Sequence, residues 1–314
     1  MSGQKIVVLG TGGTIAGTSA QAGDNIGYTA AQVGVARLLE AVPGLQAMAG
    51  TLLAEQVAQI DSKDMDGEVW RALALRCAHH LTDPEVRGIV ITHGTDTLEE
   101  TAWFLHQVLD ARKPVVLTCA MRPATALTPD GPQNLLDAVA VATAPGATGV
   151  LTVAAGEVHG ARHVQKVHPY RVHAFTSGDV GPLAFVEEGA VRLTQNWPPS
   201  LDGKAQIAIE KIANIATWPR VEIVVSHAGA TGAVVDVLVR DGVQGLVVAC
   251  TGNGTIHHAL EAALVRAQAA GVKVVRSTRC PLGQVLPKPG DVLADSRGLS
   301  PVKARIALML DLLR

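Results

Sequence analysis

Short runs of apolar, β-branched residues alternate along this chain with longer segments in which apolar residues recur at helical spacing. The runs at 5–9, 89–91 and 114–120 have the composition of buried strands. Polar turns follow these runs, and segments such as 133–142 then carry a helical pattern. Because strands and helices alternate, the pattern predicts an α/β fold with a doubly wound, mainly parallel sheet. It also predicts strands at 52–60 and 149–154 and helices at 31–41 and from Trp70 to about His80.

A second, smaller α/β unit is predicted near the carboxyl end. Its strands are expected at 222–226, 245–250 and 272–276, and its helices at 233–240, 256–269 and after Ser300-Pro301. A chain of 314 residues approaches the size limit of a single core, so two domains are expected. The Pro- and Gly-containing segment 194–217 is interpreted as a linker between domains 1–193 and 218–314.

The charge and cysteine content narrow the possible functions. The net charge is −2 with both signs scattered, so neither a nucleic-acid partner nor a membrane partner is indicated. The chain runs into its first strand with no signal-like segment ahead of it. Its four cysteines are far apart and form no CxxC, which indicates neither a zinc site nor a disulfide framework. We therefore expect a cytoplasmic protein.

The turn after the run at 89–91 carries the first candidate site. Thr95 and Asp96 lie between the carboxyl end of a strand and the start of a helix, where ligands bind in open α/β sheets. Thr97 and Glu100 have the spacing of a reciprocal capping box. The alternative is that Thr95 and Asp96 only cap the helix.

A Gly-rich turn after the first strand carries the second candidate. The segment 10–17 lacks both the third glycine of a dinucleotide fingerprint and the Lys-Ser/Thr of a P-loop, but it presents Thr14 on exposed backbone. The loop at 18–29 has the composition of a functional lid or a mobile loop. Its single aromatic residue, Tyr28, is equally well interpreted as an anchor that packs the loop down.

Three further positions carry polar groups with more than one interpretation. Ser62 follows a predicted strand, and its local sequence favours a helix N-cap over a ligand contact. Asn253 ends another strand and has an amide that can donate to a carboxylate. Lys166 lies in a basic segment in which His159 and His163 are four residues apart. Gly160 and the β-rich context argue against a helical metal pair there.

Taken together, these turns resemble the bacterial-type L-asparaginase family. Thr11-Gly-Gly-Thr-Ile-Ala-Gly17 and Ile91-Thr-His-Gly-Thr-Asp-Thr97 resemble its two signatures closely. Further matching segments follow in the same order: Ala120-Met-Arg-Pro123, Asp130-Gly-Pro132, Gly252-Asn-Gly254 and Lys303-Ala-Arg305. The similarity spans nearly the whole chain.

The resemblance implies the catalytic residues. Thr14 would be the nucleophile, assisted by Tyr28 from the same loop. Thr95 and Lys166 would form a second hydroxyl–amine pair oriented by Asp96. A lysine accepts a proton only when it is neutral, so burial or a cationic neighbour would be required.

The resemblance also implies the substrate contacts. Ser62 and Asp96 would hold the α-carboxylate and the α-ammonium of the substrate, with Gly94 and Lys63 beside them. Asn253 would reach the site of a neighbouring subunit. Family members need no cofactor or metal, and commonly form homotetramers as dimers of intimate dimers with shared active sites.

The activity implied is hydrolysis of L-asparagine to L-aspartate and ammonia through an acyl-enzyme, with weaker hydrolysis of glutamine. Two departures affect the ammonium pocket: Lys63 stands where secreted members carry Gln or Glu, and no acid is evident near 286–290. A lysine at 63 would repel the substrate ammonium unless it points away or pairs with an acid such as Asp64. Cys77 lacks the disulfide partner of some secreted relatives, consistent with a reducing compartment.

Three alternatives stay open on the sequence. The nearest is a related amidase, either a glutaminase-asparaginase or the amide-hydrolysing subunit of a tRNA-dependent amidotransferase. A non-catalytic amino-acid-binding module is the second, although the intact Thr14, Thr95, Asp96 and Lys166 argue against it. A NAD-dependent oxidoreductase is the third, and the failed fingerprint argues against it.

Overall fold

The computed structural model describes residues 4–21, 23–199 and 207–314. The chain divides into two compact units, Met1–Ala213 and Asn214–Arg314. Residues 200–206 of the predicted linker lie outside the described residues. The linker boundaries 194 and 217 therefore stay a prediction.

The first unit contains ten strands and six α-helices within the described residues. The strands are β1 Lys5–Gly12, β2 Thr51–Ile60, β3 Val86–Thr92, β4 Val115–Thr118, β5 Val150–Ala154, β6 Glu157–Gly160, β7 Gln165–Lys166, β8 Phe175–Thr176, β9 Ala184–Glu187 and β10 Ala190–Leu193. The helices are α1 Val35–Glu40, α2 Leu45–Ala49, α3 Gly67–Thr82, α4 Leu98–Val108, α5 Gly131–Ala142 and α6 Ile209–Ala213. Short 3₁₀ turns lie at Thr14–Ala16, Ser62–Asp64 and Gly178–Val180.

An eight-stranded sheet organises this unit, in the order β10-β9-β6-β5-β4-β3-β1-β2. The five strands from β2 to β5 in this order run parallel. The pairs made by β6, β9 and β10 are antiparallel. Ile89, Val90 and Ile91 of β3 are fully buried, as expected for a central parallel strand covered on both faces. The predicted doubly wound α/β fold is therefore confirmed.

The second unit repeats the architecture on a smaller scale. Its strands are β11 Val221–Val225, β12 Gly245–Cys250, β13 Lys273–Thr278 and β14 Ala294–Asp295, and its helices are α7 Ala233–Arg240, α8 His258–Ala269 and α9 Pro301–Asp311. The strands form one parallel sheet in chain order. Among the described residues, no helix combines the length and the apolar character that a membrane span requires.

Two local predictions about helices are wrong in instructive ways. The helix expected at 31–41 begins only at Val35, and α2 follows it as a separate short helix. Thr97 occupies the N-cap of α4, but its side chain makes no capping hydrogen bond. Its Oγ1 donates instead to the carbonyl of Ser62, at 2.7 Å. A tertiary contact has thus taken the hydroxyl that the capping box required.

Candidate active site

Two turns from distant parts of the chain meet at one end of the main sheet. β1 and β3 are parallel neighbours, so the turns that follow them lie side by side. Gly13 and Gly94 are in backbone contact there, and a Cβ built on Gly13 would overlap the Cα of Gly94. Gly13 also has φ near +80°, a conformation that favours glycine. This contact brings the turn of Thr14 against the turn of Thr95.

Thr14 is held in a buried 3₁₀ turn directly after β1. It is 6% exposed, and its Oγ1 lies 2.7 Å from the phenol oxygen of Tyr28. The loop that carries Tyr28 is closed by two reciprocal backbone hydrogen bonds between Thr18 and Thr29, each 2.9 Å long. The tyrosine therefore does more than anchor the loop, because its hydroxyl reaches the candidate nucleophile.

Lys166 reaches the second threonine from the β7–β8 region. Its Nζ donates to Thr95 Oγ1 at 2.8 Å and to Asp96 Oδ1 at 2.7 Å. The lysine side chain is 17% exposed and the aspartate side chain 53% exposed. Thr95 itself is buried. A hydroxyl, an amine and a carboxylate are thus in direct contact, with the carboxylate open to a ligand.

Ser62 is linked to the same turn, and its predicted N-cap role is wrong. Asp61 caps the 3₁₀ turn through Lys63 N–H, and Asp66 caps α3. Ser62 is 2% exposed, and its Oγ accepts the backbone N–H of Asp96 at 3.2 Å. The flanking aspartates accept the free helix N–H groups more readily than the buried serine can, which leaves the serine hydroxyl hydrogen available to a ligand.

Gly94 packs directly against Ser62. A Cβ at position 94 would lie 2.7 Å from the Cβ of Ser62, closer than non-bonded carbons approach. Glycine at 94 therefore allows the serine to reach the Thr95 turn. Five of the predicted site residues therefore lie together at this turn: Ser62, Gly94, Thr95, Asp96 and Lys166.

Lys63 has its charge paired locally. Its Nζ lies 3.1 Å from Asp61 Oδ2 and 3.0 Å from Asp64 Oδ2, and its side chain is 61% exposed. The hydrogen bonds that Nζ donates to Asp64 and, with a smaller effect, to Asp61 raise the pKa of this lysine. Of the two sequence-based possibilities, pairing with an acid is the one observed. The two carboxylates therefore offset the positive charge of Lys63.

Asn253 lies in the second unit, in the turn after β12. Its Nδ2 donates to the carbonyl of Leu286 at 3.1 Å, and its Oδ1 accepts the N–H of Leu286 at 2.7 Å. Both ends of the amide thus hold the backbone of Leu286. Its role toward a neighbouring subunit stays a prediction.

Two residues near the site were missed by sequence reasoning. Glu99 is 8% exposed and accepts the backbone N–H of Lys166 at 3.2 Å. His93 is fully buried between β3 and the Thr95 turn, and its Nδ1 lies 2.7 Å from the carbonyl of Gly94. The position of His93 beside the signature threonine was a usable signal. Glu99 gave no such signal, because an acidic residue in the first turn of a helix is already explained by its favourable interaction with the helix dipole.

His93 is held in its neutral form. Burial lowers the pKa of His93 from 6.5 to about 4, against a smaller raising effect of its hydrogen bond to Gly94. Because a carbonyl only accepts, Nδ1 carries the hydrogen. Within the described residues, Nε2 has no hydrogen-bond partner. A protonated ring would place an uncompensated charge in the core.

This burial predicts a specific loss of stability in acid. A histidine with a lowered native pKa binds fewer protons in the folded state than in the unfolded state. The resulting loss of unfolding free energy is absent above pH 6.5 and grows as the pH falls toward 4. The free energy of unfolding should fall by about 3 kcal/mol from this group alone. Denaturant titrations at pH 7 and pH 4 on the wild type and on His93→Asn measure it. Parallel losses in the two proteins would contradict the prediction.

The described residues contain no group of three or more His, Cys, Asp or Glu that could hold a metal ion. The four cysteines are free, and Cys77, Cys119 and Cys250 are buried. Burial raises the pKa of Cys250 to about 11 and the pKa values of the other two further. These thiols are therefore poor nucleophiles at neutral pH.

A parallel α/β sheet whose adjacent turns carry two threonines, one of them bonded to a lysine–carboxylate pair, is an arrangement that suits a hydrolase with a hydroxyl nucleophile. Comparisons with known proteins also indicate a hydrolase family. The family described as "Asparaginase, N-terminal" matches residues 5–199, and the "Glutaminase/Asparaginase C-terminal domain" matches residues 220–314. The chain therefore belongs to the asparaginase family.

Individual relatives cover almost the whole chain. L-asparaginase 2 of Bacillus subtilis is 38% identical over 98% of this chain and 82% of its own length. The glutaminase-asparaginase of Pseudomonas fluorescens is 36% identical over 98% of this chain and 86% of its own length. The crystal structure of the "Probable Cytoplasmic L-asparaginase from Campylobacter jejuni" has a TM-score of 0.93 and 37% identity, and covers 99% of this chain and 95% of that one.

Proposed function

We propose that this protein hydrolyses L-asparagine to L-aspartate and ammonia. The observation that carries the proposal is the contact between the turns of Thr14 and Thr95, with Lys166 bonded to the second threonine. Membership of the asparaginase family and the names of the relatives support the choice of substrate.

In the first half-reaction, Thr14 Oγ1 attacks the side-chain amide carbon. The phenol oxygen of Tyr28, 2.7 Å away, takes the threonine proton and passes its own proton to the departing nitrogen. The C–N bond breaks, an ester bond to Thr14 forms, and ammonia leaves. Backbone N–H groups of the Thr95 turn stabilise the oxyanion.

In the second half-reaction, water attacks the ester carbon, the bond from that carbon to Thr14 Oγ1 breaks, and Tyr28 supplies the proton that the freed Thr14 oxygen takes up. The Thr95 hydroxyl and the Lys166 amine, in contact at 2.8 Å, form the pair that takes the proton of the water and returns it to Tyr28. Asp96, 2.7 Å from Nζ, fixes the direction in which the amine points. The carboxylate, the amine and the hydroxyl therefore work as one unit.

The substrate backbone is held by the neighbouring polar groups. The exposed carboxylate of Asp96 binds the α-ammonium, and the hydroxyl hydrogen of Ser62 donates to the α-carboxylate. Gly94 keeps the floor of this pocket free of a side chain, and Lys63 with its two aspartates lies at the rim.

We expect purified protein to release ammonia from asparagine and, more weakly, from glutamine. One extra methylene in a fitted pocket costs roughly 10- to 200-fold in kcat/KM. A coupled ammonia assay on both amides measures the ratio. Comparable kcat/KM values would overturn the ranking in favour of a glutaminase-asparaginase. No ammonia from either amide at high enzyme concentration would point to an amino-acid-binding module.

The proposed assembly follows from the resemblance to the asparaginase family. We propose a homotetramer built as a dimer of intimate dimers, in which Asn253 contributes to a neighbouring subunit's site. Light scattering coupled to gel filtration tests the assembly, and a monomer with full activity would refute it.

A cytoplasmic location is supported by the name of the Campylobacter jejuni relative and by the four free cysteines. Fractionation of the producing cell tests the location.

A further inference from the structure

The lysine of the proposed site is not positioned by the main sheet. In the described part of the chain, β7 pairs only with β8, and each of these strands has two residues. A lysine side chain is also a flexible four-carbon stem with a mobile charge at its end. The position of Nζ therefore depends on what holds the backbone of residue 166.

Glu99 holds that backbone from the first turn of α4. Its Oε1 accepts the N–H of Lys166 at 3.2 Å, and the residue is 8% exposed. A negative charge is favoured at a helix N-terminus, and Glu99 lies in the first turn of α4. Asp96, three residues earlier, accepts from Nζ of the same lysine at 2.7 Å. The start of α4 thus contacts Lys166 at both its backbone and its side-chain end.

We infer that Glu99 is a positioning residue for Lys166 in the proposed amide hydrolysis, on which this inference rests. Glu99 acts through the lysine: by fixing the backbone nitrogen of residue 166, it keeps Nζ at 2.8 Å from Thr95 Oγ1. Thr95 and Glu99 both belong to the β3–α4 segment. The same segment therefore carries the hydroxyl and positions the lysine that contacts it. Misplacement of a reacting group by about 1 Å can cost roughly 10²-fold in rate.

Substitutions at Glu99 separate loss of the acceptor from loss of the charge. Glu99→Ala should lower kcat by about 10- to 100-fold with little change in KM. Glu99→Gln keeps an acceptor oxygen, and a neutral hydrogen bond is about half as strong as a charged one, so kcat should stay within about fivefold of wild type. Glu100→Ala, on the same helical turn and less buried, is the matched control and should keep wild-type kcat.

A double-mutant cycle distinguishes positioning from general support of the fold. In a Lys166→Met background, Glu99→Ala should cause no further loss of the residual turnover, because the group that it positions is already gone. A structural role would cost the same factor in both backgrounds. Equal factors, or equal damage from Glu100→Ala, would overturn the inference. Unfolding midpoints of all variants show whether each remains folded.

Amide hydrogen exchange provides a readout that does not need turnover. Exchange at the Lys166 N–H should be at least about tenfold faster in Glu99→Ala than in wild type, since a lost hydrogen bond of about 1.4 kcal/mol corresponds to tenfold. Glu99→Gln should remain close to wild type. Unchanged exchange in Glu99→Ala would refute the inference even if the enzyme is active. An inactive wild type with the expected exchange pattern would refute only the proposed function.

Discussion

Thr14→Val is expected to lower kcat for asparagine by roughly 10⁴-fold while the protein stays folded. Valine has nearly the shape of threonine, so the buried 3₁₀ turn can accommodate it, but it has no oxygen to form the ester. Residual turnover above the uncatalysed rate should persist, because the oxyanion donors and the substrate contacts remain. Ammonia release at saturating asparagine measures the loss.

The control for this variant is Thr14→Ser, which keeps a hydroxyl at the same place. It should retain far more activity than the valine variant. Mass spectrometry of acid-quenched wild-type enzyme should show the acyl group on the peptide that contains Thr14. A valine variant with near-normal kcat, or an acyl group on another peptide, would show that Thr14 is not the nucleophile.

Thr95→Val and Lys166→Met are each expected to lower kcat by roughly 10³- to 10⁴-fold, and the double variant should be no worse than the poorer single one. Groups that act as a unit lose their combined effect when either is removed. The 2.8 Å contact between Lys166 Nζ and Thr95 Oγ1 is the reason to treat them as a unit. Steady-state kinetics on the three variants test this.

Lys273→Met is the matched lysine control, because Lys273 is exposed on β13 in the second unit. It should have wild-type kcat. Single-variant losses that multiply in the double variant would mean that threonine and lysine contribute separately. A Thr95→Val variant with near-normal kcat would remove this residue from the mechanism.

The pattern of apolar positions was sufficient for the fold and for one half of the site. The β3–α4 turn follows from a β-branched run, a polar turn and a helical pattern, and the structure has the strand and the helix at that place. α7 begins and ends where the pattern placed it. Such elements are local, so local sequence specifies them.

The remaining features depend on contacts between distant residues. Ser62 and Thr97 are both residue types that commonly cap helices. In the structure, however, the Ser62 hydroxyl accepts the N–H of Asp96, and the Thr97 hydroxyl donates to the carbonyl of Ser62. Lys166 has no local signal, and only the family resemblance placed it beside Thr95, 71 residues away. Glu99 was missed for the same reason, because its partner is 67 residues along the chain.

The meeting of Gly13 and Gly94 has a consequence for how this site can change during evolution. An alanine at position 13 would push the two hydroxyl-bearing loops apart, and an alanine at position 94 would displace Ser62. We therefore expect variation in substrate choice to arise at exposed positions such as Lys63 and its two acids. Substitutions that change specificity are therefore expected around the meeting point of the two loops and not at it.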